Sequence, residues 1–402
     1  MRGKEFSFLG GGRSGVALSV AFFVFLVSFY FPLSSKAINN IFYAFIAIPC
    51  VGWLLWKPRA LPVFLAGFAW LFVAIAGLVV FCSSELADLK KIIYMVLFFS
   101  ACMLLWVEGY LERVIFGFAV FSTLLFLIAA AECLWQGFFG GSWSRYAVFL
   151  GWEINPVYWG LSIVSGWAFL WVFYFDNCLS QRSRLAFLLG FAFLNLMVLM
   201  CVLVFQSRSA LLGYLGFLFF YALRGGLFWF GSLVVAFLAA ALYFSGWGEL
   251  LLERGMSYRL DIWVDAVRRV VSECGIWLGC GADDYRFLGQ FYHPHSSYVS
   301  VFYKGGIGGV VFLLGFALTF FAVALKGRSR WLGIALIGWG GLIATGNGMV
   351  SSPKPFWIYF WIPTLMAVLE VRGAVVKKYL DARKEAEPLG TWLRDYSRRL
   401  MH

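Results

Sequence analysis

The 402-residue chain is 62% hydrophobic and 20% aromatic, with only 13% charged residues, about half the charged share of an ordinary soluble domain. Its mean hydropathy is +0.84 and its net charge +12. This composition excludes a soluble domain and points to a chain that lives mostly in a bilayer.

Apolar runs long enough to cross a bilayer, about 17–25 residues, recur along nearly the whole length. They fall near 15–33, 37–56, 61–82, 92–107, 114–135, 157–175, 185–205, 209–223, 227–245, 296–325, 331–350 and 356–371. The expected fold is an all-α integral membrane protein of about twelve transmembrane helices. The expected organisation is nine spans within 1–245, a large outer loop at 246–295, three spans within 296–371 and a basic tail at 372–402. The first run reads as an uncleaved span, because no A-x-A-type cleavage site follows it.

Lys and Arg set the orientation. With the N-terminus inside, inner segments hold Arg13, Lys57, Arg59, Arg113, Arg182, Arg184, Arg224, Lys326, Arg328 and Arg330, and the tail adds Arg372 through Arg399. Short outer connections are poorer in positive charge, which places both termini in the cytoplasm. The tail reads as a partly amphipathic basic helix on the inner leaflet.

In chain order, the first outer feature is Arg145 and Glu153, ahead of Asn155-Pro156. Next comes Gln206-Ser207-Arg208-Ser209-Ala210, which holds an arginine between two apolar runs. Such an arginine faces a cavity or a partner, or snorkels to headgroups. The 246–295 insertion is too long for a plain connection. Within it, Leu260, Trp263, Val264, Val267 and Val271 fall at helical spacing, with Asp261, Asp265, Arg268, Arg269 and Ser272 opposite. This is an amphipathic helix with Ser257 as the expected N-cap. A turn is expected at Gly279-Cys280-Gly281-Ala282-Asp283-Asp284. Cys274 and Cys280 share this outer loop, where a disulfide is permitted; two thiols are equally compatible with the spacing.

The chain holds only three histidines. Two of them stand in His293-Pro294-His295-Ser296, directly before an apolar span, and the third is the terminal His402. Histidine is the side chain whose ordinary pKa lies nearest neutrality, and hence the first candidate proton carrier. His295 sits closer to the membrane edge, and Pro294 stiffens the pair. Arg259, Arg286 and Lys304 surround it in sequence. This cationic outer cluster runs against the positive-inside trend, so it is expected to serve an anion. Guanidinium groups grip phosphate oxygens in a bidentate fork. Glycines 305, 306, 308 and 309 follow, and permit close approach of a helix or a lipid chain. His293, His295, Asp283 and Asp284 match no common metal-ligand spacing, so no metal and no cofactor is expected.

These residues resemble the O-antigen ligase family, within the group that includes O-antigen polymerases. The family's motif is His, then Asn, Ser or Gln, then nine residues, then G-x-x-G. His295-Ser296, residues 297–305 and Gly306 to Gly309 satisfy it. Ser207-Arg208-Ser209-Ala210 resembles the family's serine–arginine element, Arg259 with Trp263 its periplasmic arginine–tryptophan helix, and Asn155-Pro156 a further element. The resemblance implies a GT-C-like, metal-independent, inverting glycosyltransferase of the Gram-negative inner membrane, acting on the periplasmic side. It would move a glycan from undecaprenyl pyrophosphate to the lipid A–core oligosaccharide. Its partners would be that donor, that acceptor and membrane lipid; nucleic acid is not among them. His295 would be the base or acceptor-orienting residue, and Arg208 and Arg259 the pyrophosphate clamp. Arg145, Arg286, His293 and Lys304 would support them. His293 departs from the pattern as a second histidine competing for the role. An O-antigen polymerase with the same donor chemistry, and a lipid-linked-sugar transporter whose arginines bind without reacting, remain the alternatives. The motif favours the ligase.

Overall fold

The computed structural model describes residues 13–56, 60–83, 86–141, 144–224, 258–281, 285–346 and 348–382. Among the described residues nearly all regular structure is helical. The exception is a two-residue hairpin, β1 (Val148–Phe149) paired antiparallel with β2 (Trp152–Glu153). The helices are α1 (Arg13–Ser28), α2 (Ser35–Phe42), α3 (Ile48–Trp56), α4 (Ala60–Cys82), α5 (Lys90–Val107), α6 (Leu111–Gly140), α7 (Pro156–Leu170), α8 (Asp176–Arg182), α9 (Arg184–Phe205) and α10 (Arg208–Arg224). After the undescribed stretch come α11 (Arg259–Arg269), α12 (Ser297–Lys326), α13 (Trp331–Gly341) and α14 (Ile362–Ala382).

Among the described residues, six helical stretches are long and apolar enough to cross a membrane: Ser35–Leu55, Lys90–Val107, Leu111–Gly140, Pro156–Arg182, Arg184–Phe205 and Ser297–Lys326. Shorter apolar helices cover Gly15–Ser28, Phe68–Cys82 and Trp331–Ala344. The expected span at 227–245 lies outside the described residues, as does most of the tail. In lipid, helices associate by close packing and small residues, since burial from water no longer separates one apolar face from another. The contact of α10 with α13 shows this. A methyl group at Gly213 would lie 2.4 Å from the Ile337 carbonyl oxygen, and one at Gly340 would lie 2.9 Å from the Gly213 Cα. Along α9, Leu185, Leu189, Phe193 and Leu196 form an exposed apolar stripe suited to lipid.

Polar groups gather at two ends of this bundle. At one end Arg224 donates to the Ser329 carbonyl at 3.0 Å and Arg330 pairs with Glu370 at 3.2 Å. Arg184, Arg224 and Arg330 line one cavity there. At the other end Arg145 donates to the Phe205 carbonyl, Ser209 to the Ala344 carbonyl and Ser297 to the Thr345 carbonyl. Helix α9 runs from the first end to the second and α10 returns. Residues expected inside and outside are therefore separated along the bundle axis.

The amphipathic helix α11 is present. Of its expected apolar face, Leu260, Val264, Val267 and Val271 are exposed and Trp263 is partly buried. The buried stripe is Ile262, Ala266 and Val270, packed with Tyr285 and Tyr303. The cause is the polar edge: Asp265 accepts a hydrogen bond from the Tyr285 hydroxyl and pairs with Arg269, both at 3.0 Å. Those bonds turn Asp265 toward the tyrosines and swing the larger apolar stripe outward. Ser257 lies outside the described residues. The helix begins at Arg259 after Tyr258, which has φ 56° and gives no side-chain cap.

The separation of the two ends is open to labelling. Cys178, exposed on α8, and a cysteine introduced by Ser352→Cys stand at opposite ends. In intact spheroplasts a membrane-impermeant maleimide should modify position 352 and spare Cys178. Equal labelling of both from outside would contradict the bundle's polarity.

Candidate functional site

The site is built where α10, α11 and α12 begin. Ser296 caps α12: its hydroxyl oxygen accepts from the Val299 N–H at 3.4 Å. Directly before it, His295 has φ 54°, a left-handed conformation that costs a non-glycine residue about 1–3 kcal/mol. Surrounding contacts hold it there. The Trp263 indole N–H on α11 donates to the Pro294 carbonyl at 3.0 Å. The His295 backbone N–H donates to His293 Nδ1 at 3.2 Å. The two imidazole rings lie 4.0 Å apart by centroid, and Phe291 meets His295 edge-on at 5.8 Å. On the other side Ser297 donates both its backbone N–H and its hydroxyl to the Thr345 carbonyl, each at 3.0 Å.

Arg208 opens α10 and Arg259 opens α11, and both are half-buried. Burial, and then the charge of Arg208, lower the pKa of Arg259. Burial, and then the charge of Arg259, lower the pKa of His295. These three residues, separated widely in sequence, therefore act on one another electrostatically. Helix N-termini add unpaired N–H groups and the positive end of the backbone dipole. The arrangement is suited to a compact dianion beside a neutral imidazole. His293 is pushed down to about 4 by burial, then by the charges of His295, Lys354 and Lys304. Its Nδ1 is already engaged by the His295 N–H, so His293 reads as a brace for His295.

The supporting residues divide. Lys304 faces His293 electrostatically. Arg145 donates to the Phe205 carbonyl at 3.0 Å, where it steadies the end of α9 just ahead of Arg208. Arg286 stands over the Tyr292 ring at 5.8 Å, and its carbonyl accepts from Arg269. Lys91 and Lys354 escaped the sequence reading. Lys91 follows Lys90 at the start of α5 and Lys354 stands in the short 351–355 connection, and only folding draws them together. Among the described residues no group of His, Cys, Asp and Glu has a metal-holding arrangement.

The glycine motif has a structural task. Gly306 has φ 55° and ψ −149° inside α12, a combination essentially restricted to glycine. The kink frees backbone groups that the outer loop takes up. Cys280 and Gly281 donate to the Tyr303 and Lys304 carbonyls at 2.7 and 2.9 Å. Ile307 and Gly308 donate to the Ile276 and Trp277 carbonyls at 2.9 and 3.1 Å. Any Cβ at Gly306 would lie 2.5 Å from the Ile276 oxygen. Cys274 and Cys280 form a disulfide that closes this loop, deciding between the two states the spacing allowed. The glycines thus admit protein backbone, and the lipid-chain alternative is not needed.

No protein-family model matches the chain. An O-antigen ligase of Pseudomonas aeruginosa is 30% identical over 151 residues. The match covers 34% of this chain and 36% of that relative. Over that stretch, this chain is similar to an O-antigen ligase. The similarity agrees with the resemblance carried by His295 and Gly306, and with a helical membrane chain.

Gly306→Ala should disturb the docking of the outer loop more than any other glycine substitution in the motif. The expected result is a lower midpoint of thermal unfolding and loss of the Cys274–Cys280 loop's protection from hydrogen exchange. Unchanged stability and protection would show that the kink is not what anchors the loop.

Proposed function

We propose that the protein takes part in O-antigen assembly as a glycosyltransferase, moving a glycan from undecaprenyl pyrophosphate to a lipid A–core acceptor at the periplasmic face of the inner membrane. The observation that carries this reading is the convergence of Arg208, Arg259 and His295 at the mouth of three helices. The similarity to the Pseudomonas aeruginosa O-antigen ligase supports it.

The chemistry is a single displacement at the anomeric carbon. His295 takes the proton of the acceptor hydroxyl as its oxygen forms the new carbon–oxygen bond. The bond to pyrophosphate breaks, and undecaprenyl pyrophosphate leaves with the electron pair. Attack opposite the leaving group inverts the centre. Arg208 and Arg259 hold the pyrophosphate and neutralise the charge that grows on it; preorganised charge of this kind is commonly worth roughly 10²–10³ in rate. Two guanidinium groups supply the charge stabilisation that a divalent metal would otherwise give.

Purified protein, lipid-linked glycan and core acceptor should give transfer that survives EDTA. Loss of transfer in EDTA with recovery on adding magnesium would contradict the arginine clamp. In single turnover, His295→Ala should lose roughly 10²–10⁴-fold in rate, the usual contribution of general-base catalysis, while donor binding changes little. Arg259→Ala should weaken donor binding as well as rate. A His295→Ala protein with near-normal turnover would remove His295 from the reaction.

A further inference from the structure

A second cationic group gathers near the histidine pair: Lys304 and Lys354 act on His293, whereas Arg259 acts on His295. Lys91 at the start of α5 and Lys304 on α12 line one small cavity, together with Cys82, Ser83, Ser300 and the backbone at Gly348–Val350. About 50 Å³ of it is open to water, room for roughly three or four waters or one phosphoryl-sized anion. Ser300 is 0% exposed, and its hydroxyl has no hydrogen-bond partner. A buried hydroxyl left unpaired is costly, so a hydroxyl facing a cationic cavity marks a site built for an acceptor atom. Lys354 belongs to the same neighbourhood, since its charge acts on His293 and it feels Lys91.

Carboxylates do not cancel this charge. Asp88 pairs with Lys91 at 2.6 Å and also accepts from the Ser83 hydroxyl. Among the described residues, Asp88 is the one carboxylate acting on this group, so three lysines face one acid. Ser300 and Lys304 are successive-turn neighbours on one helix face. Lys304 lies seven residues along α12 from Ser297, roughly 10 Å below the helix mouth.

We propose that Lys91, Lys304 and Ser300 form a second anion subsite that receives a phosphoryl group of the acceptor, separate from the pyrophosphate clamp of Arg208 and Arg259. The assignment to the acceptor rests on the transferase reading above. Inverting displacement requires acceptor and leaving group on opposite faces of the anomeric carbon. Arg259 acts on His295, and Lys304 and Lys354 act on His293, so the two cationic groups attend different members of the imidazole pair. A phosphoryl group seated among the lysines would hold a phosphorylated glycolipid in register for attack. It would also give the Ser300 hydroxyl its missing partner.

The test is direct binding to the purified full chain in nanodiscs, with three probes: a phosphorylated core glycolipid, the same glycolipid after phosphatase treatment, and undecaprenyl pyrophosphate. Lys304→Gln and Ser300→Ala are the variants; Ser300→Ala removes only one oxygen, so it keeps the test valid if Lys304→Gln folds poorly. A hydrogen bond to a charged group predicts that Lys304→Gln binds the phosphorylated glycolipid roughly 10- to 100-fold more weakly. A smaller loss in the same direction is expected for Ser300→Ala. Neither variant should change binding of the dephosphorylated glycolipid or of undecaprenyl pyrophosphate. Unchanged binding of the phosphorylated glycolipid in both variants overturns the subsite. Losses that fall on undecaprenyl pyrophosphate instead make the lysines part of the donor clamp and overturn the assignment. Inorganic phosphate is the control for a free-anion site. If it protects the wild type from heat through Lys304 while the two glycolipids bind the wild type equally, the acceptor assignment is wrong. Because these readouts are binding, failure of the transferase reading shows separately, as absence of transfer with the binding pattern intact.

Discussion

Two half-buried arginines, Arg208 and Arg259, each open a helix, and the charge of the first acts on the second. Burial and then the charge of Arg208 lower the pKa of Arg259, and burial and then the charge of Arg259 lower that of His295. On the function proposed above, the two arginines at these helix starts are kept as a site for an anion. Much else in the outer half of the molecule serves to hold that arrangement against its own repulsion.

The outer loop shows how the restraint is applied. Trp263 ties α11 to the Pro294 carbonyl, and the ring of His293 ties the backbone of His295. Farther down, the kink at Gly306 opens α12 and lets residues 276–281 close its broken hydrogen bonds. The disulfide then closes that loop on itself. The histidine–glycine spacing acquires a physical meaning here. Its histidine lies at the mouth of the helix and its first glycine three turns below. Both points are gripped by the same loop, which also carries Arg259. Anion binding and histidine placement are therefore mechanically linked.

How much of this was legible beforehand differs by feature. The spans were readable because a bilayer demands long apolar runs, and α5, α6, α9 and α12 answer that demand directly. His295, Arg208 and Arg259 stood out because ionisable groups are rare in such a chain. Two apolar stripes run along α11, and its periodicity left open which of them packs inward. The choice between them fell to Asp265 and Tyr285, twenty residues apart, which periodicity cannot weigh. The disulfide could not be decided from spacing, since its closure depends on the loop docking at Gly306. Lys91 and Lys354 were passed over because nothing local distinguishes them from ordinary loop lysines; only the fold sets them near His293.

The central claim is that an anion held by Arg208 and Arg259 is felt by His295, and histidine NMR measures this directly. The chain has three histidines, and His293→Ala and His295→Ala identify their signals. In the free protein His295 should titrate below 6.5, because burial and Arg259 favour the neutral ring. Its neutral form is then favoured beyond that of an ordinary histidine and is lost as the pH falls through the lowered value. Saturating undecaprenyl pyrophosphate should cancel the arginine charge and move the His295 titration upward, and Arg259→Ala should remove most of that movement. A His295 pKa that does not respond to the pyrophosphate in the wild-type protein would contradict the account.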